Sequence, residues 1–362
     1  MQTTSKASTY YPGLDGWRGL AILGVILSHS TGFLFSPEEK QNLLYRGFIL
    51  GSNGVDLFFA ISGFLICSKL LEGEAATNGI RLFDFYKKRI FRILPLYLTY
   101  LLFLLTLNVF SLLEIPQNQI FVSFIFLQNY QIPADAWHYA LAHFWSLAVE
   151  EHFYLIFPIF LLLLPKNRLP QIVACVCLAA LIAVWRFIDF RYHFLDSVLP
   201  NLAFFMRSDV RMDAILFGCI AALLFAYPRA RPLLEKAFSL PIWGPMFLGI
   251  FLVFAIFELP FSLSIKGASA ALLILCTVLQ PRFFLFLEWA PLKWIGVMSY
   301  SLYVWNSFFL WPSYLQPVSV FGICQKFPLN FFCLFLVAYL SYCYIERPMI
   351  SLGQGLGKRH SL

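Results

Sequence analysis

Charge is what this sequence has least of. Asp, Glu, Lys and Arg make up 12% of its 362 residues, where ordinary soluble domains carry about 25%. Set against 60% hydrophobic and 19% aromatic residues, that shortage excludes a soluble globular domain. It predicts an all-α, polytopic integral membrane helical bundle. Cysteine patterning is missing too. Of the eight cysteines, only Cys175 and Cys177 lie close together, and residues two apart on a helix face different ways. No metal site or disulfide framework is expected, and the cysteines read as small packing residues. A secretory leader is not expected either, because the first apolar run is long, carries Arg18 and His29 and has no small-residue cleavage site behind it. No internal repeat is visible, which counts against repeat-built transporters. The net charge of +7 does not signal nucleic acid. The basic residues cluster in short loops between apolar runs, as they do beside a lipid bilayer.

Apolar runs of spanning length lie at 15–35, 48–70, 91–113, 145–164, 170–188, 211–227, 241–257, 265–281, 296–314 and 328–346. The run at 120–127 is too short to span and reads as re-entrant or interfacial. Ten spans with both termini cytoplasmic place Lys69, Arg81, Lys87, Lys88, Arg89 and Arg92 inside, with Lys166, Arg168, Arg229, Arg231, Lys236, Arg282, Lys293, Arg347, Lys358 and Arg359. The outside is left with Glu38, Glu39, Glu114, Asp135, Asp189, Asp196 and Glu258. That is the charge bias of a multi-pass protein of the inner (plasma) membrane. Residues 1–362 read as one transmembrane domain, with its core at 10–350 and a short cytoplasmic tail at 351–362. Ten spans leave no room for a soluble catalytic domain, so any chemistry falls to the bundle.

The ionisable residues within the apolar runs are therefore the candidates for function. Arg18 and His29 are eleven residues apart, close to three helical turns, so they share a face about 16 Å apart along the axis. Arg18 alone reads as a positive-inside anchor. His29 lies deep in the run, where an ionisable group faces a cavity, a partner or a substrate. Asp56 enters the second span at a depth where it can meet His29, orient the imidazole and stabilise its charge. The competing reading of Asp56 is a capping carboxylate beside Asn53-Gly54. Lys88, Arg89 and Arg92 share one face at the cytoplasmic start of the third span. They form an anchor for anionic lipid, or a bidentate site for a phosphorylated cofactor. Glu150 and Glu151 open the fourth span near the depth of His29, with one of them facing the interior. Arg207, Asp209, Arg211 and Asp213 crowd the outer start of the sixth span, as an ion-pair network or the mouth of a polar path.

These blocks resemble the membrane acyltransferase-3 family, which includes O-acetyltransferases of bacterial surface polysaccharides. Leu14-Asp15-Gly16-Trp17-Arg18-Gly19 through His29 is similar to its arginine-x10-histidine signature. Gly54-Val55-Asp56-Leu57-Phe58-Phe59 through Ser62-Gly63-Phe64 is similar to its glycine-valine-aspartate-phenylalanine segment. Arg89 with Arg92, Trp145-Ser146-Leu147 through Glu150-Glu151, Ser299-Tyr300-Ser301-Leu302-Tyr303 and Ile345-Glu346-Arg347-Pro348 also match family patterns. Two departures stand out. Asn306 occupies a position where many members carry histidine, and the C-terminal esterase-like domain of many relatives is not expected here.

The resemblance implies an O-acyltransferase that moves an acyl group from cytosolic acyl-coenzyme A, acetyl-coenzyme A first, to a hydroxyl of an extracytoplasmic carbohydrate or glycolipid. His29 would be the general base, partnered by Asp56 or Glu150, and Arg18, Lys88, Arg89 and Arg92 would hold the coenzyme. The alternative class is a transporter or sensor using the same ionisable path for protons or anions.

Overall fold

In hydrocarbon every backbone polar group must find its partner within the protein, which leaves helices as the answer for so apolar a chain. The computed structural model describes residues 10–77, 79–130, 137–195, 204–257, 260–313, 315–318 and 320–358, and no strand occurs among them. Asp135, Asp196, Glu258 and Arg359, which enter the charge bias, lie outside the described residues.

The chain opens with α1 (Leu14–Leu34), the short α2 (Leu43–Leu50) and α3 (Gly54–Thr77). There follow α4 (Leu82–Val109), α5 (Gln117–Phe124), α6 (Tyr139–Ala142), α7 (Phe144–Leu163) and α8 (Arg168–Tyr192). Next come α9 (Ser208–Ala226), α10 (Arg231–Ala237), α11 (Trp243–Ala255) and α12 (Pro260–Leu279). The chain closes with α13 (Ala290–Val297), α14 (Ser299–Phe309), α15 (Leu329–Ser341), a π-helical turn at Tyr342–Glu346 and α16 (Arg347–Lys358). The prolines inside α4 and α7, Pro95 and Pro158, do not end their helices, a tolerance usual in spans.

Each of the ten expected runs carries helix, but six helical stretches are long and apolar enough to cross a membrane, or seven counting one bent pair. The shortfall has local causes. Arg18, Ser28, His29, Ser30 and Thr31 dilute α1, α9 turns by 105° into α10, α11 has 13 residues, and the run at 296–314 is interrupted at Met298 between α13 and α14. The first part of the 120–127 run lies in the short α5, which ends at Phe124, as expected of a segment unable to span. Outward-facing Val173, Val176, Leu181, Val184 and Phe187 give α8 an apolar outer surface that suits lipid. The protein is a multi-pass membrane protein.

Backbone contact at small residues sets how α1, α3 and α9 sit. A methyl group at Gly54 would run into the Ala21 carbonyl, and Gly24 faces Gly51 in the same antiparallel crossing. On the other side of α3, Gly63 meets the backbone at Ile215, and Gly218 of α9 meets that at Ala60. Such close approach is how spans associate without a hydrophobic drive from lipid. The crossing also corrects the expected depth of Asp56. With Ala21 opposite Gly54 and Gly24 opposite Gly51, Asp56 lies level with about Gly19, ten residues or about 15 Å along the axis from His29.

Candidate active site

Asp56 is turned away from α1 into the crossing of α3, α9 and α12. Its Oδ1 accepts from Arg211 at 2.7 Å, and its Oδ2 pairs with Lys266 at 2.9 Å. Lys266 also donates to Asn53 at 2.6 Å, and the Arg211 guanidinium lies over the rings of Phe59 and Trp145. Both oxygens are thus occupied by cations, and Asp56 is not the partner of His29. The crowded charges on α9 form ion pairs: Arg207 with Asp189 and Asp209, and Asp213 with the fully buried Arg186. They hold α8 to α9, and the ion-pair reading of that cluster is the correct one.

A cavity of about 360 Å³ opens on the opposite face of α3. Its walls bring together residues far apart in sequence: Asp15 and Arg18 of α1, Lys69 of α3, Arg89 and Arg92 of α4, and Glu150 of α7. Four cationic side chains thus face two carboxylic acids. Arg18 pairs with Asp15 at 3.5 Å and donates to the Ser299 hydroxyl at 2.9 Å, which aims its guanidinium between α1 and α14. The Arg89 guanidinium stacks 4.9 Å from the Tyr154 ring centre. Tyr154 in turn donates to Glu150 Oε2 at 2.8 Å, while Ser62 donates to Glu150 Oε1 at 3.0 Å. Val55, Phe58, Ile61, Leu65 and Leu147 supply the apolar part of the wall. The exposed Lys88 lies outside this wall, and Glu151 is not part of it.

At the far end the cavity stops at Ser146 and Tyr303. The Tyr303 hydroxyl donates to the His143 carbonyl and stands 2.6 Å from the Ser146 hydroxyl. One turn further along α14, Asn306 Nδ2 donates to the Tyr303 carbonyl, and Asn306 Oδ1 meets His29 Nδ1. His29 therefore stands about 5 Å of helix rise beyond Tyr303, the last residue of α14 that lines the cavity. Its ring lies 6.5 Å from that of Tyr139. His138, ahead of α6, is pushed down to about 4 by burial and stays neutral near physiological pH.

Sequence reasoning placed Arg18, Arg89, Arg92 and Glu150 on candidate faces, and the structure collects all four around one cavity. It missed three things: Lys69 as a lining residue, the Tyr303–Ser146 contact, and Asn306 as the partner of His29. The signal for the last two was present in the polar tips of Tyr300, Tyr303 and Asn306, spaced at three residues along an apolar run.

The cavity lined by Arg18, Lys69, Arg89 and Arg92 thus reaches Tyr303, one helical turn along α14 from Asn306 and His29. The profile of a family described as an acyltransferase domain, acyltransferase 3, matches residues 11–347. The chain belongs to that family. Among its relatives, the peptidoglycan O-acetyltransferase OatA of Listeria monocytogenes is 28% identical over 96% of this chain and 57% of its own length. The O-acetyltransferase OatA of Staphylococcus aureus strain NCTC 8325 is 29% identical over 95% of this chain and 58% of its own. The putative peptidoglycan O-acetyltransferase YrhL of Bacillus subtilis strain 168 is 29% identical over 95% and 55%. The chain thus spans little more than half the length of these relatives. No solved structure matches it.

Proposed function

We propose that this protein is a membrane O-acetyltransferase. It takes an acetyl group from acetyl-coenzyme A on the cytosolic side and passes it to a hydroxyl of a cell-envelope glycan, peptidoglycan being the acceptor its relatives' names suggest. The observation that carries the reading is the cavity walled by Arg18, Lys69, Arg89 and Arg92, which ends at Tyr303, one turn below Asn306 and His29. Guanidinium groups bind phosphate oxygens in bidentate fashion, so Arg89, Arg92 and Arg18 hold the coenzyme phosphates, with Lys69 as a further point charge. The thioester arm lies along the apolar wall toward Ser146 and Tyr303. From the other side the acceptor hydroxyl meets His29.

In the transfer His29 removes the hydroxyl proton while the oxygen attacks the thioester carbonyl. The carbon–sulfur bond then breaks, and the thiolate leaves with the proton that the imidazolium returns. Transfer through an acyl-histidine gives the same products.

The test uses the whole protein in detergent or proteoliposomes, with acetyl-coenzyme A and soluble peptidoglycan fragments. Coenzyme A release and glycan acetylation are read together. General-base catalysis contributes about 10²–10⁴-fold, so His29→Ala is expected to lose that much turnover while still binding acetyl-coenzyme A. Arg89→Ala with Arg92→Ala is expected to weaken donor binding in folded protein. Near-normal transfer by folded His29→Ala, or unchanged donor affinity in the double variant, sinks the proposal.

A further inference from the structure

The contacts of Asn306 decide more than where His29 points. Asn306 is fully buried, and its amide is held between two groups of α14 and one of α1. On one side lies the Tyr303 carbonyl, which has lone pairs and no proton, so the amide nitrogen must be the atom that faces it. On the other side Oδ1 then faces His29, and the Ser307 hydroxyl donates to the same oxygen at 3.4 Å. Turning the amide over would set its oxygen against the Tyr303 carbonyl oxygen, two acceptors with no proton between them. An amide oxygen opposite a ring nitrogen requires a proton on that nitrogen.

We infer that Asn306 is a positioning residue: through its contacts with Tyr303 and His29 it holds His29 in the Nδ1–H tautomer. Nε2 then keeps its lone pair and is the atom that receives the acceptor's proton. The other groups facing the ring are His143, whose Nε2 bonds to the Val304 carbonyl at 3.2 Å, and Tyr139. No carboxylate hydrogen-bonds His29 among the described residues, so the orientation expected of Asp56 or Glu150 falls to a neutral amide. An amide fixes the tautomer of a base without pairing an ion with it, which spares the site a buried carboxylate. The catalytic consequence rests on the reading of His29 as base; the tautomer itself does not.

The experiment is nitrogen NMR of the full protein labelled with 15N-histidine, at mildly alkaline pH where imidazoles are neutral. Subtracting the spectrum of His29→Ala assigns His29 among the six histidines. The expected result is a protonated Nδ1 and a bare Nε2. Asn306→Leu is expected to release the ring to the Nε2–H form. It should also lower kcat about 10–100-fold, as loss of an orienting partner does, with the KM for acetyl-coenzyme A changed less than about twofold. Asn306→Asp, which keeps an acceptor oxygen, is expected to retain the Nδ1–H form. Finding wild-type His29 as Nε2–H, or the same tautomer in folded Asn306→Leu, overturns the inference. A protonated Nδ1 together with undiminished transfer by His29→Ala overturns the base reading alone and supports the tautomer assignment.

Discussion

At Asp56 both carboxylate oxygens are taken, one by Arg211 and one by Lys266, and all three side chains are buried. Removing one member of a buried ionic group strands the others, at a cost of about 3–5 kcal/mol. Asp56→Ala is therefore expected to lower the thermal unfolding midpoint of the purified protein well below that of wild type, and any loss of transfer should follow from the lost fold. An unchanged midpoint with transfer abolished would return Asp56 to the chemistry. The contrast with Glu150 is instructive. Both acids are visible in the sequence as costly groups in apolar runs, but of their partners only Tyr154, four residues from Glu150 on the same helix face, is legible there. The cations of Asp56 come from α9 and α12, Arg211 being 155 residues away, while Glu150 is satisfied by Ser62 of α3 and its own helical neighbour Tyr154. Residue type and local spacing reveal that a group must be paired and supply the neighbour four residues on; partners from other helices, Arg211, Lys266 and Ser62, are decided by tertiary packing.

Packing at the scale of the element turns on how α1 lies against α3. The residues that set the register are glycines, whose message in a sequence is ambiguous, since a helical glycine marks either close approach or nothing. Gly54 and Gly73 of α3 separate the two cases. A methyl at Gly54 meets the Ala21 backbone, whereas one at Gly73 meets nothing within 4 Å. The same substitution should thus have opposite signs. Gly73→Ala is expected to stabilise by about 0.5–1 kcal/mol through helix propensity. Gly54→Ala is expected to destabilise by about 1–3 kcal/mol through overpacking, and to weaken donor binding because α1 carries Arg18 along with it. Equal unfolding midpoints for the two variants would refute this account of the crossing. The same limit explains the interrupted run at 296–314. Hydropathy reads a continuous apolar segment there, but it does not see the break at Met298 that aims Ser299, Tyr303 and Asn306 at Arg18, the cavity end and His29.

Across the whole molecule the cations that wall the cavity lie toward the start of α1, the end of α3 and the start of α4, all at one end of the bundle. Lys166 and Arg229 in the connections at that end, and Arg231 and Lys236 in α10, add to the positive charge there, and by the positive-inside rule we propose that this end faces the cytosol. His29 lies toward the opposite end of α1. Donor and acceptor on different sides of the bilayer is thus a claim about orientation, and it can be tested without any assay of transfer. In a background lacking the eight native cysteines, single cysteines would be placed at the exposed Gln117, ahead of α5, and at the exposed Ser239, between α10 and α11. In intact cells a membrane-impermeant maleimide is expected to label Gln117→Cys at once and Ser239→Cys only after the membrane is opened. The reverse pattern would put the cationic cavity outside, where acyl-coenzyme A is absent, and the cytosolic donor would have to be abandoned while the helix packing around His29 stood unchanged.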